Sequence, residues 1–335
     1  MENTSNLLVI VTGGTIFQKV DVNGQMELSV SISELLTSLT THFTERVSPI
    51  VVDLKCRSGA ELTFETIFKA RDAVLENLQT EKVSSAVLIT GTDTMEEFAF
   101  CMDLCLRNWL IENKKSLVVT GSMKPADILG YDGFSNVHGA IQVALGESSK
   151  NTGVLLSINN DIHSALYVTK SDSQLIGSFK SVPAGPIGQI RRGIPQFYYS
   201  LPTIPPTIHH PSFLHLSHER VTKIRVAIWI ITVSTFIPEQ LLENVDGLIL
   251  AGPGTGSVPN LLVEQLSPKW TEKIPIVVVS RCFSGNNFDD HYYRGSKTKF
   301  TSKNFILEEG FEDLNAIQAR NLLSFKLAAG LYDRA

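Results

Sequence analysis

The sequence predicts an α/β fold in two domains, and three observations predict it. Short apolar, β-branched runs alternate with helix-periodic segments through roughly the first 200 residues. A proline cluster then breaks the pattern, and a second, shorter strand and helix series follows it. The expected layout is a larger N-terminal domain at 1–200, a mostly parallel sheet flanked by helices. A linker at 201–223 leads to a smaller, Rossmann-like α/β domain at 224–335.

The strands are read from runs too uniformly apolar for a sheet with one wet face. In order they are LLVIV at 7–11, VVDL at 51–54, AVLIT at 86–90, SLVVT at 116–120 and GVLLSI at 153–158. Between them, ISELLTSL and FAFCMDLCLRNWL space their apolar residues as helices do. Ser31 with Glu34 and Thr94 with Glu97 read as capping boxes that start two of the helices. Thr92 and Asp93 then fall between the carboxyl end of a strand and a helix N-terminus, where open α/β sheets hold ligands. PTIPPTIHHP supplies the linker, because proline removes the donors that a strand or helix interior needs. VAIWIITV, DGLILAG and IPIVVVS are the strands of the second domain, and AIQARNLLSFKLAAGL is expected to close it as an amphipathic helix.

Composition excludes several classes of function. A formal charge of -5 offers no basic surplus for a phosphate backbone, so no nucleic-acid partner is expected. The longest apolar run, at 226–233, is far short of the roughly 20 residues a membrane span needs, and MENTSNLLVIV has no basic leader region. A cytoplasmic protein without a membrane partner is the expectation. Cys56, Cys101, Cys105 and Cys282 form no CxxC pair, which suits a reducing compartment. His209, His210, His215 and His218 lie in and beyond the proline cluster without cysteine partners, so no metal is expected there. GPGTG lacks the third glycine and the distant acid of a dinucleotide fingerprint.

The chemistry is concentrated in VTGGTI, which follows the first strand directly. Two glycines permit a turn that presents Thr15 at the sheet edge. A threonine hydroxyl is a weak nucleophile until a neighbouring group takes its proton, so a second constellation is required. GTDTMEE at 91–97 is the best candidate.

Taken together, TGGTI, GTDTMEE, TGSMKP at 120–125 and YDGFSN resemble the bacterial-type asparaginase and glutaminase family. The likeness continues in order through VTKS at 168–171, FKSVPAGPIG, DGLILAGPGTGSVP, VVSRCFSG and AIQAR. The resemblance implies an amidohydrolase acting on L-asparagine through an acyl-enzyme at Thr15. It also implies a relay in which Asp93 holds Lys170 and Lys170 acts on Thr92, taking the place of the histidine of a serine hydrolase. Gly14, Ser58, Glu61, Gly91, Thr92 and Asp93 are the expected substrate contacts. The family needs no cofactor or metal, takes a small-molecule amide as partner and assembles as a homotetramer of close dimers.

The sequence departs from that pattern at RSGAELT, where the spacing from Ser58 to LT is one residue longer than usual so that Glu61 is the alternative contact, and in two further places. The loop FQKVDVNGQMELSV lacks the tyrosine that family members place after the nucleophile, leaving Lys19 or a residue from elsewhere in the fold to help activate Thr15. Thr255 and Ser257 replace asparagines in the second domain. Glutamine or a larger amide metabolite is therefore an alternative substrate, and a noncatalytic or amidotransferase-like homologue an alternative class.

Overall fold

The computed structural model describes residues 4–40, 42–43, 46–56, 58–201, 207–288, 291–292 and 295–332. The chain divides into two compact units, Met1–Thr203 and Ile204–Ala335.

In the first unit the strands are β1 (Thr4–Val11), β2 (Gln18–Val20), β3 (Met26–Leu28), β4 (Arg46–Asp53), β5 (Val83–Ile89), β6 (Ser116–Thr120), β7 (Val154–Ile158), β8 (Asp161–Ser164), β9 (Val168–Lys170), β10 (Phe179–Ser181), β11 (Gly188–Arg191) and β12 (Ile194–Phe197). Its helices are α1 (Ile32–Thr40), α2 (Phe64–Leu78), α3 (Met95–Glu112) and α4 (Gly133–Leu145). Among the described residues eight strands make one sheet, in the order β12-β11-β8-β7-β6-β5-β1-β4. Every pair from β4 to β7 is parallel, and β8, β11 and β12 extend the sheet antiparallel.

The sheet is covered on both faces, which explains why its central strands read as runs. Leu7, Val9 and Val11 share one core with Leu35, Leu36 and Leu39 of α1 and Val137, Ala140 and Ile141 of α4. Leu8 and Ile10, on the opposite face, are equally buried, and α2 packs on β1 and β5 while α3 packs on β6 and β7. Cys101 and Cys105 lie inside α3.

Two local expectations come out differently. At α1, Ser31 N–H donates to Glu34 Oε2 at 2.8 Å and Glu34 N–H donates to Ser31 Oγ at 3.1 Å, the reciprocal pair of a capping box. At α3, Thr94 stands at the N-cap but makes no side-chain cap; its hydroxyl donates to the carbonyl of Gly59 at 2.7 Å. A tie between two loops has replaced the cap.

FQKVDVNGQMELSV, read as a loop, contains the antiparallel pair β2–β3, with Lys19 opposite Glu27. Their side chains form an ion pair at 3.0 Å, and Asp21 closes the turn by accepting from the N–H groups of Asn23 and Gln25. Strands of three residues each, with one charged cross-strand pair, give sequence too short a pattern to mark them.

In the second unit, β13 (Val226–Ile230), β14 (Gly247–Gly252) and β15 (Ile276–Ser280) form a parallel sheet in that order. The helices are α5 (His218–Val221), α6 (Glu239–Glu243), α7 (Asn260–Leu266), α8 (Ser296–Thr301) and α9 (Ala316–Ala328). Of the expected linker at 201–223, residues 202–206 lie outside the described residues. Residues 211–215 form a 3-10 turn and 218–221 form α5; Phe213 meets Phe325 of α9 edge-to-face at 5.6 Å, which gives this stretch a packed place in the second unit. The expectation of an amphipathic α9 is corrected. Every residue from Asn321 to Ala328 is buried, because β13, β14 and β15 and α5 surround the helix. Its polar groups are satisfied locally, with Ser324 Oγ donating to the Arg320 carbonyl and Lys326 Nζ to that of Glu309.

His163 of β8 is buried, with Nδ1 2.8 Å from Ser181 Oγ. Burial lowers its pKa from 6.5 to about 4. A folded-state pKa below the unfolded one means that the unfolded chain binds the extra proton first. Stability is therefore complete above the ordinary histidine range and falls as pH drops toward 4, by at most roughly 3 kcal/mol. Chemical denaturation of the wild type and His163→Gln across pH 7 to 4.5 should show a flatter dependence in the variant; equal slopes would refute the assignment.

Candidate active site

The site is built where parallel strands end side by side. β1 and β5 pair through Val11 opposite Ile89, so the segments that follow them, Thr12–Thr15 and Thr90–Asp93, leave the same sheet edge together. Thr12 N–H donates to the Ile89 carbonyl at 3.0 Å, and the Thr12 hydroxyl donates to Thr90 Oγ1 at 2.8 Å. These bonds tie the two turns at their roots.

Gly14 explains the double glycine. Its φ of 105° is left-handed, and a Cβ there would lie 2.6 Å from both Cα and N of Gly91. Close backbone approach requires glycine here. Thr15 follows at the start of a 3-10 turn, Thr15–Phe17, and is partly buried. Among the described residues its hydroxyl has no hydrogen-bond partner. Tyr131 fixes the end of the turn by donating its phenol to the Ile16 carbonyl at 2.7 Å.

Lys170, at the end of β9, reaches the second turn. Its Nζ donates to Thr92 Oγ1 at 3.0 Å and to Asp93 Oδ1 at 2.8 Å. The Thr92 side belongs to a buried residue, while the Asp93 side chain is 71% exposed. An ion pair so open to water contributes about 1 kcal/mol or less to stability. What the arrangement offers is a hydroxyl held against an amine that can exchange protons with it. The Lys170 backbone is held as well: its N–H donates to Glu96 Oε2 at 2.7 Å. Burial, the largest influence, raises the Glu96 carboxyl pKa.

The remaining expected contacts are less direct. Ser58 is exposed and spends its Oγ on the N–H of Ala60, capping the turn Gly59–Glu61. That turn sits against Gly91, where an added Cβ would meet the Gly59 N at 3.0 Å, and Thr94 ties it in place. Glu61 is exposed, and its charge contributes to raising the Cys56 thiol pKa, an effect led by burial. Lys19, the expected stand-in for the missing tyrosine, is paired with Glu27 in the hairpin. A cavity of about 790 Å³ borders the turn that carries Thr15, lined in part by Gly13, Gly14, Phe17, Val30, Asp53 and Lys55. Among the described residues no group of three His, Cys, Asp or Glu could hold a metal.

Sequence reading missed Glu96 and Asp132. Asp132 accepts from Ser122 Oγ at 2.7 Å and from the N–H groups of Met123 and Lys124, bracing the TGSMKP turn. The double Glu after TDTM was a signal for Glu96, but a helix start gives glutamate an ordinary capping use.

An α/β protein with threonines on adjoining turns and a lysine bound to one of them is thus defined. Residues 6–203 match the family model "Asparaginase, N-terminal", and residues 231–335 match "Glutaminase/Asparaginase C-terminal domain". The chain belongs to the asparaginase family. It is 30% identical over 247 residues to the probable L-asparaginase 1 of Schizosaccharomyces pombe, covering 72% of this chain and 64% of that relative. The chain thus spans less than two thirds of that protein's length. The probable L-asparaginase of Deinococcus radiodurans is 34% identical over 251 residues, 73% of this chain and 71% of the relative. A crystal structure of a probable cytoplasmic L-asparaginase from Campylobacter jejuni shares the fold, with a TM-score of 0.79 at 24% identity over 96% of this chain and 95% of that one.

Gly14→Ala is expected to cost about 2–4 kcal/mol through left-handed strain and overlap with Gly91. Urea denaturation measures it; a loss within a few tenths of a kcal/mol would show that the two turns do not need this close approach.

Proposed function

We propose that the chain is an amidohydrolase that converts L-asparagine to L-aspartate and ammonia. The observation that carries the reading is Lys170 Nζ within hydrogen-bond distance of both Thr92 and Asp93 on the turn beside Thr15. Membership of the asparaginase family supports it.

In this reading Thr15 Oγ attacks the side-chain amide carbon. Its proton passes to the leaving nitrogen, ammonia departs, and an ester to Thr15 remains. Lys170, held by Asp93, sets Thr92 to take and return a proton, activating first the nucleophile and then the water that cleaves the ester. Backbone N–H groups at Gly91 and the start of α3 are suited to the substrate carboxylate or the developing oxyanion. Asp93, exposed on one side, is suited to the substrate's amino group.

The partner is a small amide, and no cofactor or metal enters the reaction. Among the described residues no helix is long and apolar enough to cross a membrane. A cytoplasmic location agrees with cysteines that are all free. A homotetramer of close dimers would cover apolar surface such as Val233 and Phe236, which are 95% and 70% exposed.

Ammonia release from L-Asn, D-Asn, L-Gln and peptide amides tests the reading. L-Asn should be the preferred substrate, Thr15→Ala should abolish release, and Lys170→Ala should lower it about 100-fold or more. Release that survives Thr15→Ala would contradict the mechanism. Strong preference for glutamine or a peptide amide would keep the mechanism and move the substrate.

A further inference from the structure

Lys170 reaches Thr92 from an insecure base. Among the described residues β9 pairs only with β10, in a two-stranded ribbon separate from the main sheet. Between the Lys170 backbone and its Nζ runs a flexible four-carbon stem with many accessible rotamers. A short ribbon with such a stem would not by itself hold the amine within hydrogen-bond distance of one hydroxyl. Something must fix the backbone.

The Lys170 N–H shows what does. It donates to Glu96 Oε2 at 2.7 Å, across a sequence separation of 74 residues. Glu96 lies in the first turn of α3, which packs against β9. Thr92 and Asp93, the partners of Nζ, immediately precede that helix. Lys170 is therefore gripped at both ends by one stretch of five residues: its backbone by Glu96, its amine by Thr92 and Asp93. A shift of β9 relative to α3 has to break the Glu96 bond first.

We propose that Glu96 is a positioning residue for the reaction, fixing the Lys170 backbone so that its amine meets Thr92. It acts through Lys170 and touches no substrate. The inference rests on the amidohydrolase reading above. A charge-assisted bond to a backbone N–H is among the stronger kinds, and a carboxylate left half-buried without that partner would not be kept cheaply.

The test is a double-mutant cycle read by ammonia release from L-asparagine, with thermal unfolding as a check on folding. Glu96→Ala should lower kcat about 100-fold with KM changed less than about threefold, the scale expected when a catalytic group is misplaced by an ångström. Glu96→Asp, shorter by one methylene, should fold and lose kcat to an intermediate degree. Glu96→Gln keeps an oxygen for the Lys170 N–H and should retain at least about a third of kcat. In a Lys170→Ala background, Glu96→Ala should add less than about a twofold loss, since the group it positions is gone. An equal loss in both backgrounds, a Gln variant as impaired as the Ala variant, or a change confined to KM would overturn the role of Glu96 and leave the amidohydrolase reading standing. A Lys170→Ala enzyme with undiminished rate would overturn the role of Glu96 together with the Lys170 relay, whereas absence of any Thr15-dependent ammonia release would overturn the amidohydrolase reading.

Discussion

The parallel pairing of β1 with β5 is the constraint on which the rest depends. Because Val11 and Ile89 are in register, two turns 77 residues apart in sequence leave the sheet at one point. Their separation is then set by backbone contact between Gly14 and Gly91, with no side chain able to intervene. The adjacency lies at the carboxyl ends of neighbouring parallel strands, the general location of ligands in open α/β sheets. Everything chemical in the account starts from that adjacency.

Polar groups around the turns are used with little redundancy. Tyr131 holds the Ile16 carbonyl next to Thr15, Thr94 holds the carbonyl of Gly59, and Asp132 gathers the donors of the TGSMKP turn. The first two of these bonds join loops that no strand pairing connects, and those of Asp132 brace the single loop between β6 and α4. Glu96 extends the same principle to the Lys170 strand. The Thr15 hydroxyl, by contrast, is left without a partner among the described residues, as suits a group that must change partners during a reaction. The conventional loop tyrosine is absent, and the hairpin in its place is stitched together by Lys19, Glu27 and Asp21.

The central parallel strands were legible in sequence because burial on both faces makes a run of β-branched residues unmistakable, as in Leu7 to Val11. The strand-to-helix position of Thr92 and Asp93 followed from the same periodicity, and Ser31 with Glu34 announced its helix by a purely local rule. What sequence concealed is non-local. Thr94 fits a capping pattern, yet the Gly59 carbonyl, 35 residues away, competes for its hydroxyl. Asn321, Ser324 and Lys326 look in sequence like residues for water, but partners within the fold satisfy polar groups on buried α9. Glu96 is one of two adjacent glutamates at a helix start, and only the return of the chain at Lys170 distinguishes it.

Two threonines compete for one role, since Thr92 is the hydroxyl that touches Lys170 while Thr15 stands free on the neighbouring turn. Acid quenching during turnover of L-asparagine, followed by peptide mapping by mass spectrometry, separates them. The account predicts a mass increase of one aspartyl group on the peptide containing Thr15, absent from the Thr15→Ala protein. The same increase on the peptide containing Thr92 would contradict it.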